Sequence, residues 1–232
     1  MQVLIDRYHP DTSPYTQCYD VDESMLSEGM MLLQLLQHLR EQDPSLGFRS
    51  SCQEGVCGSD GMNINGKNGL SCITLVRDLG QRIHLRPLPG FAVIKDLIVD
   101  LGPFYQHYQA IKPRLAPEPS VAADLGQELL QTPEERAKLD GSYECILCGC
   151  CSSSCPSFWW NPDLFPGPAA LLAVQRFVVD SRDIQRKERL EALNSATSIF
   201  RCRHIQNCTA ACPKGLNPSR AIQALKHELL SQ

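Results

Sequence analysis

The 232-residue chain lacks features that would place it in two common functional classes. It has no surplus of basic residues, because 22 Lys and Arg against 26 Asp and Glu give a net charge of −4. A protein that binds nucleic acid through its phosphates needs a basic surface, so no nucleic-acid partner is expected. The longest nearly continuous apolar run, 165–174, contains two prolines. Because a membrane-spanning helix needs about 18 or more apolar residues, the chain is not expected to cross a bilayer itself.

The N-terminal residues 1–7 also lack the basic region and the apolar run of a secretory signal, so a reducing compartment is expected. Cysteine is nevertheless frequent, with 12 in 232 residues. That frequency lies below the ~8–10% of a disulfide scaffold. Since most of these cysteines fall in short groups with regular spacing, the pattern favours metal ligation over disulfides.

The first hundred residues are predicted to form a small α+β unit. Alternating apolar residues in 2–8 predict a strand, turn residues follow it, and 15–21 would be the second strand of a hairpin. Apolar residues recur at three- and four-residue steps in 24–40, which predicts an amphipathic helix. Segments 70–76 and 81–86 are predicted to be further strands. This order is typical of a β-grasp sheet with one helix across it.

The second half is predicted to be helical. Pro113, Pro117 and Pro119 indicate an extended linker, and Thr132 with Glu135 forms a capping-box signal for a helix start. Further helices are predicted at 168–179 and 183–193, and another that opens at Asn217-Pro218. We therefore expect two domains, a β-grasp plant-type ferredoxin domain at 1–104 and an all-α, bacterial-ferredoxin-like two-cluster domain at 105–232.

The first cysteine group has the spacing of a plant-type [2Fe–2S] loop. Cys52 and Cys57 supply its first two ligands, Cys72 on the predicted strand supplies a distant one, and Asp60 occupies the position of the remaining cysteine. A carboxylate is ionised at neutral pH and binds iron, so Asp60 is the favoured ligand. Two alternatives remain open. In one, Ser59 is the ligand; in the other, Asp60 only hydrogen-bonds while water or Ser59 completes the site.

Two further groups repeat the bacterial ferredoxin motif C-x2-C-x2-C-x3-C-P. The first run comprises Cys145, Cys148, Cys151 and Cys155, and the second comprises Cys202, Cys208 and Cys212. In the second run Ile205 stands where a cysteine is expected. Since the last cysteine of each run serves the other cluster, we expect a [4Fe–4S] cluster on Cys145, Cys148, Cys151 and Cys212. The remaining Cys155, Cys202 and Cys208 would hold only a [3Fe–4S] cluster.

Zinc is the competing metal, but structural zinc sites use paired C-x2-C units, which fit these runs poorly. Cys18 and Cys150 lie outside every ligand set and are expected to be ordinary buried or half-buried residues. The chain shows no nucleophile, general base or other cofactor motif beside the cysteines. A row of redox centres without a substrate site indicates electron transfer.

The chain resembles the iron–sulfur subunits of succinate dehydrogenase and its relative fumarate reductase, over essentially its whole length. The resemblance lies in RSSCQEGVCGSDGMNINGKNGLSC, YECILCGCCSSSCPSFWWNPD and CPKGLNPSRAI. It implies a partner flavoprotein with covalent FAD that oxidises succinate, and electron flow from FAD through [2Fe–2S], [4Fe–4S] and [3Fe–4S] to ubiquinone. It also implies one or two membrane-anchor subunits, with or without haem b, on the cytoplasmic face of a bacterial inner membrane. With Asp60 in place of a cysteine, the chain resembles certain bacterial succinate dehydrogenases more than mitochondrial chains or fumarate reductases.

The resemblance also implies a set of residues at the quinone end, namely Pro156, Ser157, Trp160, Arg203, His204 and Ile205. The family usually has His directly after the first cysteine of the third group. Here Arg203 stands there and His204 follows, so either residue is a candidate for that role. Trp159 is equally well explained as a core or interface aromatic.

Three alternative functions of the chain remain open. The first is a quinol:fumarate reductase subunit that runs the same relay in reverse, which Asp60 slightly disfavours. The second is an interaction module stapled by zinc, without a redox role. The third is an electron-transfer subunit of a different dehydrogenase.

Overall fold

The computed structural model describes residues 1–119 and 128–231. Its strands are β1 Gln2–His9, β2 Thr12–Asp20, β3 Gly61–Ile64, β4 Lys67–Leu70, β5 Arg82–Arg86, β6 Val93–Lys95 and β7 Ile98–Val99. Its α-helices are α1 Leu32–Gln42, α2 Gly102–Ala110, α3 Pro133–Ala137, α4 Cys150–Ser153, α5 Pro156–Trp160, α6 Gly167–Val178, α7 Arg186–Leu193, α8 Asn207–Ala210 and α9 Pro218–Leu230. Short 3-10 helices occur at Glu23–Met25, Ser71–Ile73, Val76–Leu79 and Ile199–Arg201.

The chain divides into two compact units. Unit 1 consists of Met1–Leu101 and Ile146–Ser154, and unit 2 consists of the other described residues. The predicted boundary near residue 104 assigned 146–154 to the second domain. These residues lie in unit 1 because Cys148 and Cys150 are part of its hydrophobic core.

Unit 1 is built on a five-stranded sheet in the order β2-β1-β5-β3-β4. Strands β1 and β5 are parallel, and the other neighbours are antiparallel. Val3 and Ile5 alternate with half-exposed residues along β1 and are fully buried. They share one core with the leucines of α1. The predicted β-grasp arrangement within an α+β fold is confirmed.

Helix α1 begins at Leu32, eight residues later than the helix predicted from residue 24. The chain before it forms backbone hydrogen bonds with residues 74–76 instead. The Leu32 N–H donates to the Thr74 carbonyl at 2.8 Å, and the Val76 N–H donates to the Met30 carbonyl at 3.0 Å. Apolar periodicity in 24–31 does not reveal this pairing, because the partner segment lies more than forty residues away in the sequence.

The strand predicted at 70–76 is wrong, and Cys72 does not lie on a strand. Strand β4 ends at Leu70, and Ser71–Ile73 forms a 3-10 helix. The local cause is a hydrogen bond from the Cys72 N–H to the Asp60 carboxylate at 2.6 Å. A buried carboxylate therefore takes the backbone donor that a neighbouring strand would otherwise use.

A buried ion-pair network joins distant segments of unit 1. Arg7 is 4% exposed, and its guanidinium donates to Asp96 at 3.0 Å and to Asp43 at 2.8 Å. Asp96 also accepts hydrogen bonds from the backbone N–H groups of Tyr8 and Gly47, at 3.0 and 2.7 Å. Removing one partner of a buried pair leaves an uncompensated charge, which costs more than the pair itself contributes.

We expect Arg7→Met to lower the free energy of unfolding by about 3–5 kcal/mol, because buried Asp96 would lose its counter-charge. Arg82→Met is the matched control, since Arg82 is exposed on β5. Its expected effect is within about 0.5 kcal/mol. Denaturant unfolding followed by circular dichroism measures both, and equal midpoints would show that the network adds no stability.

Unit 2 is helical in its described part. The predicted capping box is confirmed, because Thr132 accepts from the Glu135 N–H and the Glu135 side chain accepts from the Thr132 N–H. Helix α6 is buried along most of its length, and the Asn217 side chain caps α9. Helix α7 begins at Arg186 rather than at residue 183. The Gln185 N–H donates to the Asp183 carboxylate at 3.0 Å, and the Ile184 N–H donates to the Ala116 carbonyl at 2.9 Å. None of the described helices combines the length and apolar character that a bilayer crossing requires.

Candidate metal centres

The loop after Cys52 directs backbone N–H groups at one sulfur. The N–H groups of Glu54, Val56 and Cys57 lie 3.5, 3.4 and 3.3 Å from Cys52 Sγ. These donors, led by Glu54, and the hydrogen bond with the Cys57 thiol lower the pKa of Cys52 to about 7. Gly55 has a φ of +72°, a left-handed conformation that favours glycine. The loop thus favours a thiolate before any metal is considered.

Asp60 and Cys72 lie together in the interior of unit 1. Asp60 is 3% exposed, and its Oδ2 accepts from the Ser71 hydroxyl at 3.0 Å and from the Cys72 N–H at 2.6 Å. Burial first, and then the hydrogen bond to Asp60, raises the pKa of the Cys72 thiol to about 12. Ser59, the alternative ligand, has its Oγ 3.2 Å from Cys57 Sγ.

A turn that carries Cys148 belongs to unit 1 and leads into α4, which carries Cys151. Gly149 adopts a left-handed φ of +79°, and both cysteines are buried. The Ser152 hydroxyl next to Cys151 is also buried, and it has no hydrogen-bond partner in the described chain. Cys150 is fully buried, as expected, whereas the expectation that Cys18 is buried or half-buried is wrong, because Cys18 is exposed.

Cys145 and Cys212 belong to unit 2. Both are partly buried and pack against the same small hydrophobic cluster of Leu172, Leu216 and Ala221. Unit 2 therefore brings together the first cysteine of one run and the last cysteine of the other, which are two of the four predicted [4Fe–4S] ligands.

The three predicted [3Fe–4S] ligands line a single cavity in unit 2. Cys155, Cys202 and Cys208 face it together with Ile205. Burial first, and then the nearby Cys155, raises the pKa of the Cys208 thiol to about 11. Ile205 is 54% exposed, so in this chain it borders the cavity but does not close it against solvent.

Arg203 and His204 have different surroundings. His204 contacts α9, with Nδ1 3.3 Å from the Ser219 hydroxyl and Nε2 3.2 Å from Lys226 Nζ. Since an ammonium group only donates, Nε2 accepts and the neutral ring carries its proton on Nδ1. Burial, and then the charge of Lys226, lowers the pKa of His204. Arg203 is exposed, so these two candidates are not equivalent.

Helix α5 carries the remaining predicted residues of the quinone end. Pro156 and Ser157 line the same cavity as Cys155, and the Ser157 hydroxyl donates to the Arg201 carbonyl at 3.0 Å. Trp160 is 76% exposed, whereas Trp159 is about half as exposed. A large, exposed indole at the end of this helix is available to a partner molecule.

Sequence reasoning missed Asn68 on β4. Its Nδ2 lies 3.3 Å from the Cys150 carbonyl, 3.1 Å from Ser153 Oγ and 2.8 Å from Ser154 Oγ, and it is the donor in all three contacts. One amide thereby holds the start and end of α4. No motif or spacing signals this role, because Asn68 and its acceptors are more than eighty residues apart.

These donor sets fit iron–sulfur clusters. Thiolates are the ligands of such clusters, and N–H or hydroxyl donors to sulfur tune them. The three backbone N–H groups at Cys52 and the unpaired, buried Ser152 hydroxyl beside Cys151 are donors of this kind. Among the described residues, no group of three or more His, Cys, Asp or Glu side chains forms a site for a single metal ion.

Comparisons with known proteins agree with this architecture. Residues 2–106 match the family described as 2Fe-2S iron-sulfur cluster binding domain, and residues 144–217 match 4Fe-4S dicluster domain. The chain is 54% identical, over 100% of its length and 98% of the relative's, to a succinate dehydrogenase iron-sulfur subunit of Coxiella burnetii. It is 50% identical to the mitochondrial succinate dehydrogenase [ubiquinone] iron-sulfur subunit 1 of Oryza sativa, over 94% of this chain and 76% of that protein.

A solved structure shows the same fold. A chain of the Mycobacterium smegmatis Sdh1 complex in the apo form superposes with a TM-score of 0.88 at 23% sequence identity. The alignment covers 99% of this chain and 95% of that one. The likeness extends through both the sheet-based and the helical part.

Proposed function

Because this chain belongs to the succinate dehydrogenase iron–sulfur subunits, we propose that it carries electrons from the FAD of a succinate-oxidising flavoprotein subunit to ubiquinone. The chain is a subunit of succinate:quinone oxidoreductase. The observation that carries the proposal is the order of three cysteine sets along one chain, of which the last lacks one ligand. The relatives named above are succinate dehydrogenases, which supports succinate oxidation rather than the reverse relay of a fumarate reductase.

The proposed ligands form three sets. The [2Fe–2S] set is Cys52, Cys57, Asp60 and Cys72; the [4Fe–4S] set is Cys145, Cys148, Cys151 and Cys212; the [3Fe–4S] set is Cys155, Cys202 and Cys208. When bound, the three clusters supply one-electron carriers. The chain's own contribution is to hold the thiolates and to donate hydrogen bonds to sulfur. Ile205 has no lone pair, which supports three rather than four irons at the last site.

The quinone end is proposed to lie at the mouth of the cavity bordered by Pro156, Ser157 and Ile205, with Trp160 beside it. Because His204 contacts Ser219 and Lys226, the exposed cation at this end would be Arg203. His204 would instead fix the position of Lys226, which also donates to the Cys202 carbonyl at 2.8 Å.

The proposed partners are the flavoprotein subunit and one or two membrane-anchor subunits, with or without haem b. The exposed Trp160 supports an anchor contact at the quinone end, because an indole has an apolar ring and a polar N–H and so suits a surface that is apolar on one side and wet on the other. We place the chain on the cytoplasmic face of a bacterial inner membrane, held there by the anchor subunits.

Anaerobic iron analysis with EPR spectroscopy tests this proposal. Three centres of two, four and three irons give about nine irons per chain. An oxidised-state [3Fe–4S] signal should be present in membranes and should diminish when succinate is added. About ten irons without that signal would contradict the last ligand set, and a colourless zinc protein would contradict electron transfer altogether.

We expect Trp160→Leu to slow quinone reduction while succinate oxidation by an artificial upstream acceptor stays unchanged. The hydrogen bond proposed from the Trp160 indole N–H to the quinone contributes about 0.5–1.5 kcal/mol. Its loss corresponds to a rate decrease of about two- to tenfold. Tyr15→Leu is the control, because Tyr15 is an exposed aromatic on β2. An equal decrease in both assays would indicate a folding defect instead. A further variant, Trp159→Leu, tests whether the neighbouring indole also contributes to quinone reduction.

A further inference from the structure

Gly58 lies against the turn of the second cysteine group. Its φ is +68°, and a Cβ at this position would lie 2.8 Å from both Cα and Cβ of Cys148. The same Cβ would be 2.9 Å from the Ile146 carbonyl oxygen. These neighbours are backbone atoms or are attached directly to the backbone, so no flexible side-chain end can move aside. Only glycine fits between the two cysteine loops.

Further contacts hold the second cysteine loop, residues 146–154, against the part of unit 1 that follows Gly58. A Cβ on Gly61 would lie 3.1 Å from the Cys148 carbonyl oxygen. The Asn68 amide donates to three acceptors in 150–154, and the Ser153 hydroxyl donates to the Pro89 carbonyl at 2.7 Å. The Cys148 turn is therefore held by the strands and loops of unit 1, and Gly58 brings the first cysteine loop against it.

We propose that Gly58 is a positioning residue that sets the separation between the first two redox centres. The inference rests on the proposed function. Gly58 directly follows Cys57, a proposed [2Fe–2S] ligand, and it touches Cys148, a proposed [4Fe–4S] ligand. One peptide unit and one van der Waals contact thus join the two ligands.

This contact matters because the transfer involves one electron, with no bond made or broken and no proton moved. The chain therefore influences it mainly through the distance and the medium between donor and acceptor. A methyl group at Gly58 would have to move from 2.8 Å to at least 3.4 Å from Cys148, so the loops would separate by about 0.6 Å or more.

The test compares Gly58→Ala with Gly66→Ala and Gly80→Ala in the intact complex. All three glycines have a positive φ, so the backbone strain of alanine is common to them. At Gly66 the nearest atom to a Cβ is 4.0 Å away, and at Gly80 there is none within 4 Å. Iron content is measured first, and the fully reduced samples are then examined by EPR for magnetic interaction between the first two centres. This interaction weakens with distance and does not depend on turnover.

We expect Gly58→Ala to keep the iron of the first centre but to lose part of the interaction, while both controls match the unmodified protein. The inference is overturned if Gly58→Ala shows the unmodified interaction, or if the unmodified protein shows none. Absence of iron from the unmodified protein would instead overturn the proposed function.

If Gly58→Ala does not fold, Asn68→Asp decides the question. It adds no volume but removes the amide that donates to the Cys150 carbonyl, so the second loop should move away from β4. A weakened interaction supports the proposal, and an unchanged one overturns it.

Discussion

Replacing Ile205 with cysteine should raise the iron content from about nine to about ten per chain and convert a [3Fe–4S] centre to [4Fe–4S]. Ile205 lines the same cavity as Cys155, Cys202 and Cys208. It also stands at the position that Cys148 has in the first run. A thiolate at this corner provides the ligand that a fourth iron requires. The oxidised-state EPR signal should disappear, and a reduced-state signal should appear.

The reduction potential of this centre should fall, because the converted cluster carries the negative charge of one more thiolate. Electron delivery to quinone should then slow, while succinate oxidation by an acceptor upstream of this centre continues. Electrochemical titration followed by EPR measures the potential and the quinone reductase assay measures delivery.

Ile205→Val and Ile205→Ser are the controls for this substitution. The Ile205 side chain is 54% exposed, so it does not by itself exclude water from the open corner. Valine tests the apolar contact, and serine tests whether a hydroxyl at the corner recruits iron. Both should keep three irons. If Ile205→Cys also keeps an unaltered oxidised signal, Ile205 does not face the open corner, and the ligand set with Cys155 must be revised.

Features that depend on local sequence are the ones that could be predicted. The first strand follows from alternating Val3 and Ile5, the start of α3 from Thr132 and Glu135, and the start of α9 from Asn217. Cysteine spacing within a run is equally local, because a loop that wraps a cluster constrains consecutive residues. Each of these features depends on residues that lie within about ten positions of one another in the sequence.

Features that depend on long-range contacts could not be predicted. The delayed start of α1 depends on pairing with 74–76, and the 3-10 helix at Cys72 depends on the Asp60 carboxylate. The Arg7 network and the Asn68 contacts join segments that no periodicity connects. The same holds for the 146–154 segment, which interrupts the helical unit 2 in sequence but packs in the core of unit 1.

The second large effect is expected at Asp60, where ligation and hydrogen bonding must be separated. Its Oδ2 accepts from the Ser71 hydroxyl and the Cys72 N–H. Asp60→Ala therefore removes a proposed iron ligand and also leaves buried donors unsatisfied, which costs about 1–3 kcal/mol for each. Loss of the [2Fe–2S] signal in this variant alone would not distinguish the two roles.

Three further variants make the distinction. Asp60→Cys should keep the cluster, with an altered EPR spectrum, because a thiolate restores the plant-type ligand pattern. Asp60→Asn keeps a carbonyl oxygen for both hydrogen bonds but removes the anionic ligand, so the cluster should be weakened or lost. Ser71→Ala removes only the hydroxyl donor, and the cluster should remain.

Iron content and reduced-state EPR of the intact complex measure how much [2Fe–2S] cluster each variant retains. Ser71→Ala and Asp60→Cys should retain the most. Asp60→Asn should retain less, and Asp60→Ala the least. An unchanged spectrum in Asp60→Ala would show that Asp60 is not a ligand. In that case Ser59, whose Oγ already lies 3.2 Å from Cys57 Sγ, becomes the candidate for the fourth position. Ser59→Ala should then abolish the signal that Asp60→Ala retains, because Ser59 is directly adjacent to position 60, to which the cysteine spacing assigns the ligand.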